Sequence, residues 1–415
     1  MKEYLLNVWR KIKQGTIKLK IFLSLLLVLY IGIITVSFIK IDVDATCPGS
    51  INNVSKVISI ESENKTNNVY TVSVYSRYRV TLFQYALMKM DKNVEISVGQ
   101  NIIYDIFTEK EDYATDVAYK NQSIQDSIIV AYTTAISQGY NVVLDYSYSG
   151  QTLYNIPQNL YKTGSEDFKN GDIVTGFNGV TFSSKEDYEN SLNQIFDEIK
   201  FNDVSIKELK ENNKLNLRDE AGNRNEDNIK LAFDIFESFN TNDTKYTFSI
   251  IRDKENKNVT SSLKMLFYLY TGYVFKGEHI YTLNTNNYTT YSINYEKCNP
   301  KININESTTV GPSGGLLQTL AVYNSIIEED VTKGKKIVGT GGINLEGEAT
   351  LIGGVRQKII TANLYSAQIF FVPSNNYDDA KEQYDLLKKP TFELVKVDTF
   401  EDVLNYLKKL EVNNG

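Results

Sequence analysis

The first long apolar run, residues 21–39 (IFLSLLLVLYIGIITVSFI), carries no charge and is closed by Lys20 and Lys40. It is close to the ~20 apolar residues that a helix needs to cross a hydrocarbon core. Beyond it the pattern shortens. Residues 69–75 (VYTVSVY) largely alternate apolar and polar positions as a half-buried strand does, and residues 82–89 read as a helix, which together make an α/β unit. Residues 123–138 (SIQDSIIVAYTTAISQ) set Ile124, Ile128, Ile129, Ala131, Thr134 and Ile136 near helical spacing, and Gly139 stops them. The polar, strand-like stretch 302–310 precedes a second helical pattern through Leu316, Leu317, Leu320, Ala321, Tyr323, Ile326 and Ile327. A third helix runs through Ile359, Ile360, Ala362 and Leu364, and the apolar residues 369–372 read as a buried strand. No internal repeat or low-complexity tract stands out. The fold class is α+β.

Charge around the apolar run orients it. Lys2, Arg10, Lys11, Lys13, Lys18 and Lys20 stand upstream against Glu3 alone, whereas Asp42 and Asp44 soon follow. The positive-inside rule then makes residues 1–20 a cytoplasmic tail, residues 21–39 a single transmembrane helix and the rest extracellular. A cleaved signal peptide ending near Val43-Asp44-Ala45 is the alternative; the apolar run is longer than is usual for one, which favours an anchor. Both readings export the body. With 415 residues the chain has room for two or three domains, and 42% hydrophobic content supplies their cores. A formal net charge of −7 leaves no basic field to gather phosphates, so nucleic acid is not an expected partner. Cys47 and Cys298 make neither a disulfide scaffold nor a metal-ligand spacing, and they read as free thiols, with one bridge left open. There is one histidine, His279, so any Ser-His-Asp scheme must run through it and a His-rich metal site is excluded. No cofactor or metal is implied.

Candidate chemistry gathers late in the chain. Gly311-Pro312-Ser313-Gly314-Gly315 sits directly before the second helical pattern, which puts a serine at a helix N-terminus. Unpaired N–H groups there suit an oxyanion developing beside the hydroxyl, so Gly311, Ser313 and Gly314 are the candidate donors; Pro312 has none. Taken alone, a Gly-Pro-Ser turn opening a helix is often only a cap. The spelling also fits the Gly-x-Ser-x-Gly nucleophile elbow, but in that arrangement the histidine follows the serine, and His279 precedes it. A lysine amine can deprotonate a serine if burial pulls its pKa toward neutrality. Lys358, in the second turn of the helix that Gly353-Gly354-Val355-Arg356-Gln357-Lys358 opens, is a suitable one.

Five blocks carry a resemblance. Gly311 to Gly315, then Gly339-Thr340-Gly341-Gly342-Ile343, then Gly347, then Leu351-Ile352-Gly353-Gly354-Val355-Arg356-Gln357-Lys358, and finally Ile369-Phe370-Phe371-Val372-Pro373 resemble the proteolytic domains of Lon-type serine peptidases in order and spacing. The resemblance implies Ser313 as nucleophile, Lys358 as general base and Thr340 as the group that orients the lysine amine. Earlier in the chain, Phe168-Lys169-Asn170-Gly171-Asp172-Ile173-Val174, then Gly176-Phe177-Asn178-Gly179-Val180 and a helix over 184–199 resemble the second half of a PDZ domain, a module that captures extended peptides by strand addition. The domains expected are therefore an extracytoplasmic α/β segment (47–138), a PDZ-like domain (139–266) with a charged, Asn-rich insertion (201–243), and a Lon-type proteolytic domain (267–411). The arrangement resembles a membrane-anchored, PDZ-containing branch of the Lon-type peptidases of Gram-positive bacteria.

The expected activity is cleavage of peptides or loosely folded proteins outside the cytoplasm. The only Gly-Lys pair, Gly334-Lys335, is followed by Lys336 rather than Ser or Thr, so no P-loop is spelled and the work is expected to need no ATP. Lon-type domains often form rings, which leaves a homo-oligomer open. Ser261-Ser262-Leu263-Lys264 and Lys162-Thr163-Gly164 spell two motifs of penicillin-binding enzymes, but in reversed order. The competing reading is an inactive surface peptide-binding or adaptor protein, because Val310 and Gly342 stand where Lon itself has acidic residues.

Overall fold

The computed structural model describes residues 16–61, 68–98, 106–158, 160–161, 167–241, 244–283 and 286–410. Lys2, Glu3, Arg10, Lys11, Lys13 and the triplet Lys162-Thr163-Gly164 lie outside them. Helix α1 (Ile17–Phe38) reaches a mean hydropathy of 2.6 over its most apolar 18 residues, and none of its residues is buried. By length and composition it fits a membrane span or a signal sequence. The Thr16 hydroxyl caps it by accepting from Leu19 N–H.

The chain then lays down β1 (Val43–Asn53), β2 (Ile58–Ile60), β3 (Val69–Arg77), α2 (Leu82–Met88), β4 (Glu95–Val98) and α3 (Glu109–Ser137). Thr81 and Gln84 form a capping box at the start of α2, and Thr108 and Glu111 form one at α3. Helix α3 starts well before residue 123, where the apolar spacing begins. Its first half is charged and polar and shows no apolar stripe to mark it.

A middle region follows: β5 (Tyr146–Leu153), β6 (Ile173–Phe177), β7 (Val180–Thr181), α4 (Lys185–Glu198), β8 (Lys200–Phe201), β9 (Val204–Ser205), α5 (Ile206–Glu211), α6 (Glu226–Ser238), β10 (Lys245–Arg252), β11 (Glu255–Ser262), α7 (Leu263–Thr271), β12 (Tyr273–Lys276), β13 (His279–Thr282) and β14 (Asn287–Ile293). Its antiparallel sheet runs β11-β10-β6-β5-β14. Asn178 and Gly179, both at positive φ, turn β6 into β7, and Ser184 with Asp187 boxes the start of α4. The Asn-rich stretch, described over 201–241, is no loose excursion. Its Ile206, Leu215, Ala232, Ile235 and Phe236 enter the same core as Phe196, Phe267 and Phe248.

The last third holds β15 (Ile302–Ile304), α8 (Gly315–Ile326), β16 (Ile337–Gly339), β17 (Gly342–Ile343), β18 (Ala349–Thr350), α9 (Val355–Leu364), β19 (Ile369–Pro373), α10 (Ser374–Asp385), β20 (Glu393–Val397) and α11 (Phe400–Lys409). Only residues 302–304 of the strand-like stretch 302–310 are strand. The main sheet is ordered β20-β19-β16-β3-β1-β4, parallel from β20 to β3 and antiparallel from β3 to β4. Both faces are covered, as parallel strands require. Ile369 and Phe371 face the core built by α3, α8 and α11, and Phe370 and Val372 face α9 and α10.

Strand pairing redraws the boundaries expected from the sequence. Strands β1, β3 and β4, read there as a separate segment (47–138), complete the sheet of the last third. Helix α7 and strand β14, read with the residues after 266, belong to the core and sheet of the middle region. Apolar spacing marks a strand but does not name its partner, which is why both boundaries moved.

Candidate active site

Ser313 lies in the loop that opens α8, and the loop is tied down through its backbone. Gly311, at φ +85°, donates its N–H to the Asp116 carbonyl on α3 at 3.0 Å. The Ser123 hydroxyl donates to the Pro312 carbonyl at 2.9 Å. The Ser313 carbonyl accepts from Gly341 N–H at 2.9 Å and from the Thr340 hydroxyl at 3.0 Å. Close packing on the other side demands glycine at 315, because a Cβ there would stand 2.8 Å from Ser123 Oγ and 2.9 Å from Ile343 N.

These bonds correct one expectation. Gly311 N–H is committed to Asp116 and does not point to an oxyanion. The N–H groups of Ser313 and Gly314 take no partner among the described residues, so they are the two donors that fit the role.

Lys358 sits on the opposite face of the main sheet, one turn into α9, and is 2% exposed. Val72, Val338, Val355 and Ile359 make an apolar cluster on that face. Burial alone pushes its amine from the ordinary lysine range down to about 7. Its Nζ donates to Thr340 Oγ1 at 3.1 Å. The Thr340 proton is already given to the Ser313 carbonyl, so this hydroxyl can only accept from the lysine. A neutral amine held that way keeps its lone pair for another proton. No hydrogen bond joins Ser313 Oγ to Lys358 Nζ in this state; the two residues face a common cleft of about 940 Å³. They meet at the carboxyl end of β16, where Thr340 follows Gly339. Replacing Thr340 with Val is expected to lower kcat about ten- to a hundredfold with little change in KM, the usual worth of a hydrogen bond to a charged or charging group, and Thr340→Ser to restore most of it. Steady-state kinetics on a fluorogenic peptide would check both.

Several groups around the Ser313 loop are not singled out by the sequence pattern. On α3, Ser123 grips the loop, and Ser127 Oγ lies 2.9 Å from the Gly315 carbonyl and 2.6 Å from the Ser123 carbonyl, the two acceptors sharing its proton. Asp116 also lines the cleft, its carboxyl pushed up to about 6 by burial and then by the charge of Asp112. Serines spaced one turn apart within an apolar helix face were the available clue to the first pair. The two departures from Lon fall differently: Val310 is half-buried on the cleft wall, while a side chain at 342 would press on Thr350, with its Cβ 2.2 Å from Oγ1. His279 is exposed on the β12–β13 hairpin and does not line the cleft. Ser261 donates to Asp167, and Lys264 pairs with Glu237, so the Ser-x-x-Lys spelling is not a joint site. Cys47 and Cys298 are both free thiols.

The last third of the chain thus completes a sheet covered by helices on both faces, with a serine just before a helix start, and comparison with known proteins gives the class it resembles. Residues 280–409 match the Lon protease (S16) C-terminal proteolytic domain, which implies a serine peptidase. Lon protease of Campylobacter jejuni is 31% identical over 114 residues, which is 27% of this chain and 14% of the relative. Lon protease of Malacoplasma penetrans is 32% identical over 102 residues, 24% of this chain and 12% of the relative. Lon protease of Fusobacterium nucleatum is 33% identical over 93 residues, 22% of this chain and 12% of the relative. The chain therefore matches only a small part of these relatives' length.

Proposed function

We propose that this protein is a serine endopeptidase with a Ser313–Lys358 dyad, anchored by α1 with its body outside the cytoplasm, and that it cleaves peptides or loosely folded proteins without ATP. The observation that carries the dyad is the buried Lys358 amine, without a carboxylate partner among the described residues, brought to about 7 and bonded to the same Thr340 hydroxyl that holds the Ser313 carbonyl. Ser313 Oγ attacks the substrate carbonyl as Lys358 takes its proton, and the oxyanion meets the N–H groups of Ser313 and Gly314. The ammonium then gives that proton to the leaving amine. Water, deprotonated by Lys358, cleaves the acyl-enzyme and frees Ser313.

Anchoring is supported by the bare apolar surface of α1 and by Lys18 and Lys20 before it against Asp42 and Asp44 after it. Independence from ATP is supported by the missing P-loop spelling around Gly334-Lys335. The β6–turn–β7–α4 succession supports a PDZ-like, peptide-reading role for the middle region.

The dyad sets the pH dependence. Lys358 must be neutral to act as base, so kcat/KM is expected to rise with pH through about 7 and level off above it. A rate profile on an unfolded protein such as casein would show this limb; a flat profile from pH 5 to 9 would exclude the lysine as base. The open Ser313–Lys358 geometry, with Val310 and Gly342, favours the inactive binding protein as the second reading. Stoichiometric labelling of Ser313 by a fluorophosphonate would remove that reading, since an unactivated serine reacts poorly.

A further inference from the structure

Helix α2 (Leu82–Met88) is apolar on both sides. Apart from Gln84 and the Tyr85 hydroxyl it carries only apolar side chains, yet none of its residues is buried. Tyr85 and Met88 pack against Val43, Ala45 and Val80. At 3.6 residues per turn, Leu82, Ala86 and Leu87 share an outward arc of about 140° on the other side, and all three are exposed. Met90, just past the helix end, is 84% exposed. A helix on the surface of a water-soluble body turns polar residues outward, and one that is apolar all round is ordinarily covered.

The cover is identified by what α2 adjoins. Leu82 donates its N–H to the Ile39 carbonyl at 2.9 Å, Lys40 and Thr81 form a β-bridge, and α2 comes alongside the end of α1. At 1.5 Å per residue the 22 residues of α1 span roughly 33 Å, just over the ~30 Å hydrocarbon core. Phe38 and Ile39 are exposed at its end, so the apolar surface continues from the span to Leu82. The headgroup zone beyond the core is roughly 5–8 Å deep on each side, and Leu82 enters it within one hydrogen bond of the span. Lys89 and Lys92 close the apolar run with exposed cations, with Asp91 between them.

We propose that the outward face of α2 is seated in the headgroup zone of the bilayer that α1 crosses, with a lipid surface as its partner. This rests on α1 as a membrane anchor. Tethered by α1, the face needs no strong affinity of its own. Leu82, Ala86, Leu87 and Met90 fall well short of the ~800 Å² per partner that a stable protein interface buries, so a second copy of the chain or another protein fits the face less well. The end of the cleft lined by Lys40, Thr81 and Gln84 is thereby held at the bilayer surface.

The test uses the full-length chain with Trp9, its only tryptophan, replaced by Phe and a single reporter introduced by Leu87→Trp, or by Met90→Trp as a second exposed site. The protein is reconstituted in phosphatidylcholine–phosphatidylglycerol vesicles whose acyl chains are brominated near the headgroup or near the chain ends. Emission from either reporter is expected to be lost more strongly with the shallow bromines, at a depth of about 5–10 Å. Leu27→Trp, within α1, is expected to be quenched most by the deep bromines. Leu386→Trp, exposed at the end of α10 beside the far edge of the sheet, is expected to be quenched by neither. Quenching at position 27 with none at 87 and 90 overturns the seat and leaves the anchor standing. No quenching at 27 removes the anchor, and the seat with it. A blue-shifted emission at 87 and 90 without quenching shows that protein covers the face and overturns the proposal. Equal quenching at 386 does so too, because it marks adsorption of the whole body.

Discussion

Replacing Lys358 with Met is expected to abolish casein cleavage while leaving the fold at least as stable as before. Removal of a general base costs at least about 10²- to 10⁴-fold in rate, and where base and nucleophile act as a unit the loss approaches the order of 10⁶-fold expected for Ser313→Ala. The stability half of the result comes from the apolar surroundings of Lys358, which is 2% exposed with no carboxylate bonded to it among the described residues. Its folded pKa of about 7 lies below the unfolded lysine value near 10.4, so the unfolded chain binds the extra proton between those values. Stability therefore falls as pH drops from about 10.4 to about 7, and below 7 the full cost is present, roughly 4–5 kcal/mol at 1.36 kcal/mol per unit. Met fills a similar volume without that charge, so the variant should melt several degrees higher at neutral pH, and its Tm should lose the parent's dependence on pH in this window. A Met variant that cleaves casein at the parent rate would remove Lys358 from the reaction. One that is inactive because it is unfolded would show it in the same melt.

The candidate site was legible where its geometry is local, and illegible where it depends on distant chain. Ser313 stands one residue before the Gly314 N-cap of α8 and Lys358 lies one turn into α9, as the glycine-rich spellings imply, because helix starts are fixed by neighbouring residues. Thr340 could be placed only through the resemblance, and the structure shows how it reaches both partners. Gly311 was misjudged as an oxyanion donor, since its N–H is taken by Asp116, far upstream on α3. The polar first half of α3 hid that helix segment and, with it, the cleft wall that carries Asp112 and Asp116.

The shared sheet also sets the second large expectation: residues 267–410, produced alone, should fail to fold, whereas residues 40–410 should unfold cooperatively. The shorter piece lacks β3, leaving the β16 edge open through Ile337–Gly339. It also lacks Val54, Ile58 and Val69 from one core, Val72 from the other, and the α3 face with Ile128, Ile129 and Tyr132 that packs against α8. Each such side chain contributes about 1.5–3 kcal/mol when fully buried, so their loss together matches or exceeds the ~5–15 kcal/mol by which whole domains are stable. The Ser313 loop loses its anchors on α3 as well, those from Ser123, Ser127 and the Asp116 carbonyl. Circular dichroism and thermal melts of the two pieces would decide the matter. A cooperative transition in residues 267–410 would mean that the N-terminal strands decorate the proteolytic unit and do not build it. Its absence would make the proteolytic unit discontinuous in sequence, closed by chain that precedes the middle region.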